Sequence, residues 1–294
     1  MTHLKAEVIV LLAMGTPLIL EGKKVAESLF SKLLLDISLL PFVPKIVFII
    51  VGNDGASQTY VKMKGKKSES LGLRHETIVL PEATTEEQLL TQIKTLNENA
   101  DVNGILVQLP LPKHINKYKV LESILPDKDV DGLHPLNQGL LAIGKPKFLP
   151  CTPAGVIEIL KFYQIPLVGA KAVVVGRSEI VGKPMTQLLL LENATVTVCH
   201  SQTKNLAEET AQADILIAAL GKPKFITAPM VKEGAVVIDV GIHRVDDKIV
   251  GDVDFESVSS KCRAISPVPG GVGPMTIAML LKNLIFAAGL APKK

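Results

Sequence analysis

A tyrosine and a lysine stand four residues apart in Ser57–Leu71, a segment with helical patterning. Because residues at this spacing share one helix face, Tyr60 can stack on a flat heteroaromatic ring while the amine of Lys64 transfers a proton. A lysine base needs desolvation or a nearby cation, since a free lysine keeps its proton to about pH 10.4. Neighbouring lysines leave a second interpretation open, a solvated basic helix face: Lys62, Lys66 and Lys67.

Two further segments offer polar side chains to a ligand. The apolar stretch Gly104–Pro112 predicts a buried strand that aims Gln108 at the carboxyl edge of a parallel sheet, where open α/β sheets bind ligands. The turn Lys128-Asp-Val-Asp-Gly132 supplies carboxylates, one of which can hold the donor groups of a pterin-like ring. The alternative role for these carboxylates is turn capping.

A glycine-rich loop, Pro267-Val-Pro-Gly-Gly-Val-Gly-Pro274, precedes the last predicted helix. Three glycines within four positions indicate close approach of the backbone to a ligand, or backbone dihedral angles that other residues avoid.

The segment Lys171–Pro184 predicts a strand, a tight turn and a helix, an arrangement that binds dinucleotide phosphates. Its glycine spacing, Gly176-x5-Gly182, differs from the usual dinucleotide motif, so an ordinary strand–helix turn is the alternative. The next strand ends in His200-Ser-Gln-Thr203, without the acidic residue that holds the ribose of NAD. Arg177 and Ser201 can bind a 2′-phosphate, which favours NADP, unless Arg177 is only a solvated turn residue.

These residues require a scaffold of alternating strands and helices. Apolar runs predict buried parallel strands at Ile46–Val51, Glu76–Leu80, Gly104–Gln108, Ala172–Val175, Thr195–Cys199, Ile215–Ala218 and Val236–Val240. Amphipathic patterns predict helices at Gly22–Leu40, Ser57–Leu71, Thr85–Asn97, Ala154–Tyr163, Pro184–Leu191, Leu206–Gln212 and Met275–Ala288. The fold class is therefore α/β with two domains, and the boundary is expected between Gly144 and Pro153.

Composition limits the function classes. The 294 residues are 47% hydrophobic with a net charge of +3, which argues against disorder and against an electrostatic nucleic-acid surface. The three scattered cysteines predict neither a disulfide framework nor a zinc site, and no other metal-ligand spacing is present. The amino-terminal apolar run Val8–Met14 is too short to span a bilayer. It is read as a first strand or an upstream extension, with a signal peptide as the alternative. A cytoplasmic protein without a membrane partner is expected.

Together, these segments resemble the bifunctional methylenetetrahydrofolate dehydrogenase/methenyltetrahydrofolate cyclohydrolase family, the FolD type. The resemblance runs from about Leu18 to the carboxyl end, and only Met1–Pro17 departs from it. The matching stretches are Gly55–Lys64, Gly104–Pro112, Pro126–Gly132, Pro150–Pro153, Gly176–Pro184, Cys199–Thr203, Val237–Ile242 and Pro267–Thr276.

The resemblance assigns roles by position. It implies that Lys64 is the general base of the cyclohydrolase step, that Gln108 tunes it by a hydrogen bond, that Tyr60 stacks on the folate and that Asp131 grips the pterin ring. It implies further folate contacts at Val107, Leu109, Pro269, Gly270, Gly271, Val272 and Gly273. It implies NADP contacts at Gly176, Arg177, Ser178, Ser201 and Ile242.

The implied function is oxidation of 5,10-methylenetetrahydrofolate by NADP⁺, followed by hydrolysis of the methenyl cation to 10-formyltetrahydrofolate, in one-carbon metabolism and purine biosynthesis. The resemblance also implies two domains, a folate-binding catalytic domain at 1–152 plus 275–294 and a Rossmann-like NADP-binding domain at 153–274. It implies a folate cleft between them and a homodimer formed through the NADP-binding domain. Two rival interpretations are a shikimate- or amino-acid-type dehydrogenase of similar architecture and a catalytically inactive folate-binding homologue.

Overall fold

A computed structural model describes residues 16–290 of the chain, and side chains up to residue 289. The apolar run Val8–Met14 and most of the Met1–Pro17 segment lie outside the described residues. The strands are β1 Leu18–Ile19, β2 Lys45–Val51, β3 Arg74–Leu80, β4 Gly104–Val107, β5 Lys171–Val175, β6 Thr195–Cys199, β7 Ile215–Ala218, β8 Val236–Asp239, β9 His243–Val245, β10 Lys248–Val250 and β11 Ala264–Ile265.

The helices occupy the connections between most of the strands. They are α1 Gly22–Ser38, α2 Gly55–Ser70, α3 Glu86–Glu98, α4 Lys117–Ser123, α5 Pro135–Ala142, α6 Cys151–Phe162, α7 Gly182–Leu191, α8 Leu206–Thr210, α9 Phe255–Ser259 and α10 Val272–Leu290, with one 3₁₀ turn at Ala228–Met230.

The chain divides into two compact units. The first comprises the described residues up to Glu27 together with Pro150–Thr276, and the second comprises Ser28–Leu149 together with the described residues from Ile277. Helices α1 and α10 each contribute residues to both units.

The first unit is built on a six-stranded parallel sheet with the order β1-β11-β8-β7-β5-β6. Apart from the half-buried Lys171 at the start of β5, the strands β5, β7 and β8 are buried because helices cover both faces, which explains their runs of Val, Ile, Leu and Ala. Strand β5 pairs with β6 on one side and with β7 on the other. The strand order therefore reverses beside β5, the kind of position where doubly wound sheets bind ligands.

The second unit contains a three-stranded parallel sheet with the order β3-β2-β4. One face of β2 packs into a core with α3 and α4, formed by residues such as Val47, Ile49, Leu89 and Ile93. Strand β3 lies at the edge and alternates between exposed and half-buried residues. The prediction of a strand there is confirmed, although it is not buried on both faces.

Helix α10 is the longest helix of the described residues. Its segment Val272–Gly289 has a mean hydropathy of 1.4, sufficient by length and composition to cross a membrane, but 72% of it is buried inside the protein. A core helix of a water-soluble domain has the same properties. Asn283 lies on α10, and its amide Nδ2 donates to the carbonyl oxygens of Val130 and Leu149, both at 2.9 Å.

Candidate active site

Lys64 and Gln108 form a hydrogen-bonded pair in the second unit. The Nζ atom of Lys64 donates to Oε1 of Gln108 at 3.0 Å, and it lies 4.7 Å from the centre of the Tyr60 ring. Lys64 is 4% exposed, unlike the solvated lysine of a basic helix face. An amine, an amide and an aromatic ring are thus gathered at the carboxyl end of β4.

Helix α2 positions both Tyr60 and Lys64. It begins after Asp54, whose side chain accepts a hydrogen bond from the backbone N–H of Ser57 at 2.7 Å and so caps the helix. Hydrogen bonds from the side chain and the backbone N–H of Ser57 hold the pKa of the Asp54 carboxyl below its usual value. Because Lys64 is one helical turn beyond Tyr60, the two side chains project on the same side of α2.

Strand β4 positions Gln108. The backbone N–H of Gln108 donates to the carbonyl of Ile49 on β2 at 2.8 Å, which continues the sheet register past the end of the strand. Its side-chain Nε2 donates to the carbonyl of Leu109 at 2.7 Å, which leaves Oε1 to accept from Lys64. Val107 is 3% exposed and its side chain belongs to the core, so only its backbone can face a ligand. Leu109 is half-buried.

The two carboxylates of the Asp-Val-Asp turn have different environments. Asp129 is 1% exposed and accepts from the N–H groups of Leu133 at 3.1 Å and His134 at 2.8 Å, and from Asn137 Nδ2 at 2.8 Å. Burial raises the pKa of Asp129 although these bonds oppose the shift. Asp131 is half-buried. Asp129 therefore caps the turn. The sequence pattern alone did not show which of the two carboxylates has this role. Asp131 is the carboxylate that a ligand can reach.

A separate groove of about 490 Å³ lies between α2 and β3. It is lined by Ile50, Gln58, Val61, Lys62, Lys66, Glu69, His75, Thr77 and Val79. Neither Tyr60 nor Lys64 lines it, because at about 100° per residue Lys62 and Lys66 project from the other side of the helix. Lys62 and Lys66 are thus set apart from the candidate chemistry.

The turn after β5, in the first unit, is built by close contacts of glycine. Gly176 has a φ of +127°, and a Cβ at this position would overlap the carbonyl oxygen of Ala219. A Cβ at Gly182 would overlap the carbonyl oxygen of Gly176. The hydroxyl of Ser178 accepts from the N–H groups of Val181 at 3.2 Å and Gly182 at 3.4 Å, at the start of α7. The backbone is therefore tightly folded at a helix amino terminus, which suits a dinucleotide phosphate.

Arg177 and Ser201 follow neighbouring strands of the same sheet. Arg177 comes two residues after β5 and Ser201 two residues after β6, and both are exposed. Because β5 and β6 pair in parallel from Lys171 with Thr195 to Val175 with Cys199, the two residues leave the sheet at one edge. A cation and a hydroxyl at this edge fit a 2′-phosphate.

The glycine-rich loop Pro269–Gly273 also lies in the first unit. The carbonyl of Gly270 accepts from the N–H of Lys23 at 3.1 Å, and a Cβ at Gly22 would overlap the carbonyl oxygen of Gly271. Part of the close backbone contact predicted for the glycine-rich loop is therefore contact with the start of α1 rather than with a ligand. The Cβ position of Gly273 lies 3.8 Å from Cδ1 of Ile242, which is 60% exposed. The structure thus brings Ile242 beside this loop.

No group of three or more His, Cys, Asp or Glu side chains is placed to hold a metal ion within residues 16–290. Cys151, Cys199 and Cys262 are free and buried. Burial raises the pKa of the Cys262 thiol to about 11, so this thiol is not an activated nucleophile.

Comparison with known proteins identifies the family. Residues 20–131 match the catalytic domain of tetrahydrofolate dehydrogenase/cyclohydrolase, and residues 150–291 match its NAD(P)-binding domain. The bifunctional protein FolD of Exiguobacterium sibiricum is 54% identical over 92% of this chain and 99% of its own length.

Two solved structures are also similar. The bifunctional FolD enzyme of Campylobacter jejuni is 50% identical, with a TM-score of 0.90 over 92% of this chain and 98% of that one. The Trypanosoma brucei FolD enzyme, solved with NADP and an inhibitor, is 38% identical, with a TM-score of 0.91 over 95% of this chain and 99% of that one. From its matched domains and from these similarities, the chain belongs to the tetrahydrofolate dehydrogenase/cyclohydrolase family.

Proposed function

We propose that this chain oxidises 5,10-methylenetetrahydrofolate with NADP⁺ and hydrolyses the resulting methenyl cation to 10-formyltetrahydrofolate. Membership of a family named for both activities supports the two reactions. The observation that carries the proposal is the buried Lys64 amine, held at 3.0 Å by the Gln108 amide and beside the Tyr60 ring.

The hydrolytic step uses Lys64 as general base. The methenyl carbon is electrophilic because it carries a delocalised positive charge, so it needs a nucleophile rather than a metal. Lys64 in its neutral form accepts a proton from the attacking water as the water oxygen bonds to the methenyl carbon, a contribution worth about 10²–10⁴ in rate for a positioned base. The bond from this carbon to N5 then breaks, its electron pair stays on N5, and N5 takes up the proton that the hydroxyl of the adduct loses, which leaves the formyl group on N10. The Gln108 oxygen orients the amine, Tyr60 stacks on the pterin and Asp131 accepts hydrogen bonds from its N–H groups.

The oxidative step needs the dinucleotide in the first unit. NADP⁺, when bound, supplies the hydride acceptor. Gly176 and Ser178 shape the turn that receives its phosphates, Arg177 and Ser201 bind the 2′-phosphate, and Ile242 contacts the nicotinamide end through its backbone. We assign NADP binding to a domain at 153–274 and folate chemistry to 1–152 plus 275–294, with folate contacts also from Pro269–Gly273.

The two rivals are disfavoured. A shikimate- or amino-acid-type dehydrogenase belongs to another family. Its reaction forms no methenyl carbon, so it does not require a base at this position. An inactive folate-binding homologue gives no reason for an amine, an amide and a tyrosine ring to converge as Lys64, Gln108 and Tyr60 do.

An absorbance assay tests the function. Methylenetetrahydrofolate is supplied with NADP⁺ or with NAD⁺, and methenyltetrahydrofolate is followed as it forms and then decays. We expect formation with NADP⁺, followed by decay faster than the spontaneous rate. A chain that oxidises shikimate and leaves the folate unchanged would favour the first rival, and one that binds folate without either reaction would favour the second.

The assembly is also proposed. We infer a homodimer formed through the NADP-binding domain, as the family resemblance implies. The hairpin of β9 and β10 supports this, because Val245 and Ile249 are 40% and 48% exposed on an element that is marginally stable alone. Light scattering of the purified protein gives the mass, and a monomer at micromolar concentration would contradict the proposal.

A cytoplasmic location and a supply of formyl groups to purine biosynthesis complete the proposed role. The buried free cysteines are consistent with a reducing compartment.

A further inference from the structure

Asp252 is a buried carboxylate in the first unit, outside the residues assigned above. Its side chain is 0% exposed. Its Oδ2 accepts from the backbone N–H groups of Leu220 at 2.7 Å and Gly221 at 3.0 Å. Its Oδ1 accepts from the N–H of Lys222 at 2.9 Å and lies 2.7 Å from Nε2 of His243. One carboxylate thus binds three consecutive backbone N–H groups and an imidazole.

A second buried carboxylate, Asp239 at the end of β8, fixes Asp252. Its Oδ1 accepts from the N–H of Gly241 and from the N–H of Asp252, both at 2.9 Å. Its Oδ2 accepts from the N–H of Val253 at 2.9 Å. The end of β8 therefore holds the backbone of Asp252, whose side chain in turn holds the loop that follows β7.

Two glycines make room for these carboxylates. A Cβ at Gly241 would overlap the side chain of Asp252, and a Cβ at Gly251 would overlap the side chain of Asp239. Backbone and carboxylate are in direct contact at both positions, so the loops after β7 and β8 have little freedom to move independently.

The loop that Asp252 binds adjoins the dinucleotide turn. Strand β7 pairs with β5, and the Ala219 carbonyl that follows β7 occupies the space where a Cβ of Gly176 would lie. Leu220, Gly221 and Lys222 continue directly from Ala219. The segment Gly241–Ile242, also bound by this network, carries the proposed nicotinamide contact. Asp252 itself is too buried to touch a cofactor, so its effect must pass through these loops.

We propose that Asp252 is a positioning residue for the oxidative reaction: its carboxylate fixes the loop Leu220–Lys222 and the adjoining Gly241–His243 segment in the conformation that receives NADP. This inference rests on the proposed function of the first unit. Without the carboxylate, three successive N–H groups lose their acceptor, and the loop must turn towards water to satisfy them. The hydrolytic residues Lys64 and Gln108 belong to the other unit, where they are hydrogen-bonded to each other.

The two reactions of one chain give the test an internal control. In Asp252→Asn, one acceptor oxygen is replaced by an NH2 donor that faces backbone N–H donors. We therefore expect the KM for NADP⁺ and the Kd for NADPH to rise by about tenfold or more, as for loss of a charged acceptor. Hydrolysis of added methenyltetrahydrofolate should stay within about twofold of wild type, and amide exchange should accelerate at residues 220–222. Glu256→Gln, which removes an exposed charge four positions away, should change none of these quantities.

Several outcomes would overturn the inference. They are a folded Asp252→Asn protein with wild-type NADPH affinity, or one in which both reactions fall by the same factor. If Asp252→Asn does not fold, His243→Leu tests the inference instead. It removes one donor to Asp252, and the His243 side chain is 21% exposed, so the fold tolerates its loss more readily. It should raise the Kd for NADPH by about threefold or more with hydrolysis unchanged, and an unchanged Kd rejects the inference. A wild-type protein that binds NADPH but oxidises no folate would instead reject the proposed function, while the Asp252 comparison remains decisive.

Discussion

The Nζ atom of Lys64 lies 3.0 Å from Oε1 of Gln108, which is 44 positions further along the chain. The two side chains reach each other because α2 follows β2 and β4 pairs directly with β2. A parallel sheet brings the carboxyl ends of its strands to one edge, so the residues that leave that edge become neighbours.

Lys64→Met should abolish hydrolysis of methenyltetrahydrofolate and leave NADPH binding unchanged. The substitution keeps an unbranched side chain and removes only the base, so a loss of about 10²–10⁴ in kcat is expected. The decay of methenyl absorbance measures it. Lys62→Met on the groove side of α2 is the matched control and should behave as wild type. Unchanged hydrolysis in Lys64→Met would remove Lys64 from the mechanism.

Arg177→Ala should weaken NADP⁺ much more than NAD⁺. Only NADP carries the 2′-phosphate, and a charge-assisted hydrogen bond contributes about 1.5–3 kcal/mol, or roughly ten- to hundredfold in affinity. The ratio of kcat/KM for the two cofactors is the measurement. Arg244→Ala, on an arginine that is also exposed but pairs with Asp247, should leave that ratio unchanged. An equal loss for both cofactors would contradict the phosphate role of Arg177.

Asp131→Ala and Asp129→Ala should separate ligand binding from stability. Asp131 is half-buried, so its loss should raise the KM for the folate with a melting temperature near that of wild type. Asp129→Ala removes an acceptor from the N–H groups of Leu133 and His134 and from the buried Nδ2 of Asn137, and it should lower the free energy of unfolding by about 3 kcal/mol. Wild-type folate affinity in Asp131→Ala would show that its carboxylate does not grip the pterin.

The stability of the first unit should depend on the protonation of Asp239. Burial raises the pKa of Asp239 from 3.8 to about 6, although three backbone N–H groups donate to it. Because the folded state binds the proton of the Asp239 carboxyl more tightly than the unfolded state does, this group stabilises the fold at low pH. Its contribution is lost as the pH rises through about 6. A pKa shift of about two units corresponds to a change of about 3 kcal/mol in the free energy of unfolding.

Asp239→Asn provides the measurement for this pH dependence. The free energy of unfolding of wild type minus that of the variant should decrease between pH 4 and pH 6.5, as determined by denaturant titration at each pH. A difference that is constant across this interval would show that the pKa of Asp239 is the same in the folded and unfolded states.

The buried strands were predictable from sequence because both of their faces are apolar. Helix starts were less predictable: α6, α7 and α10 each begin two or three residues before the predicted start. Each carries a proline in its first turn, at Pro153, Pro184 and Pro274, where the missing N–H has no helical partner to lose. The predictions placed the helices at or after these prolines.

Several short elements escaped prediction for a different reason. Helices α4 and α9 have seven and five residues, and strands β1 and β11 have two each, too few for a periodic pattern to emerge. Their positions depend on contacts with distant segments, such as the pairing of β1 with β11.

Helical periodicity predicted that Tyr60 and Lys64 share a face of α2, and their proposed roles came from the family resemblance. The roles of Asp129 and Asp252, by contrast, depend on N–H donors supplied by the folded backbone. A signal was present, because Asp252 lies between Gly251 and Val253, and an acidic residue in such an apolar setting must find donors once it is buried.

The bonds from Asn283 to the carbonyls of Val130 and Leu149 span 153 and 134 positions of the chain. In addition, a Cβ at Gly104 would collide with the side chain of Leu284, so β4 lies directly against α10. During synthesis, α10 emerges after every other described element. The nascent unit that carries Lys64 and Gln108 therefore keeps an unfilled apolar surface until α10 emerges, by which time the described strands of the Rossmann-like sheet have already emerged.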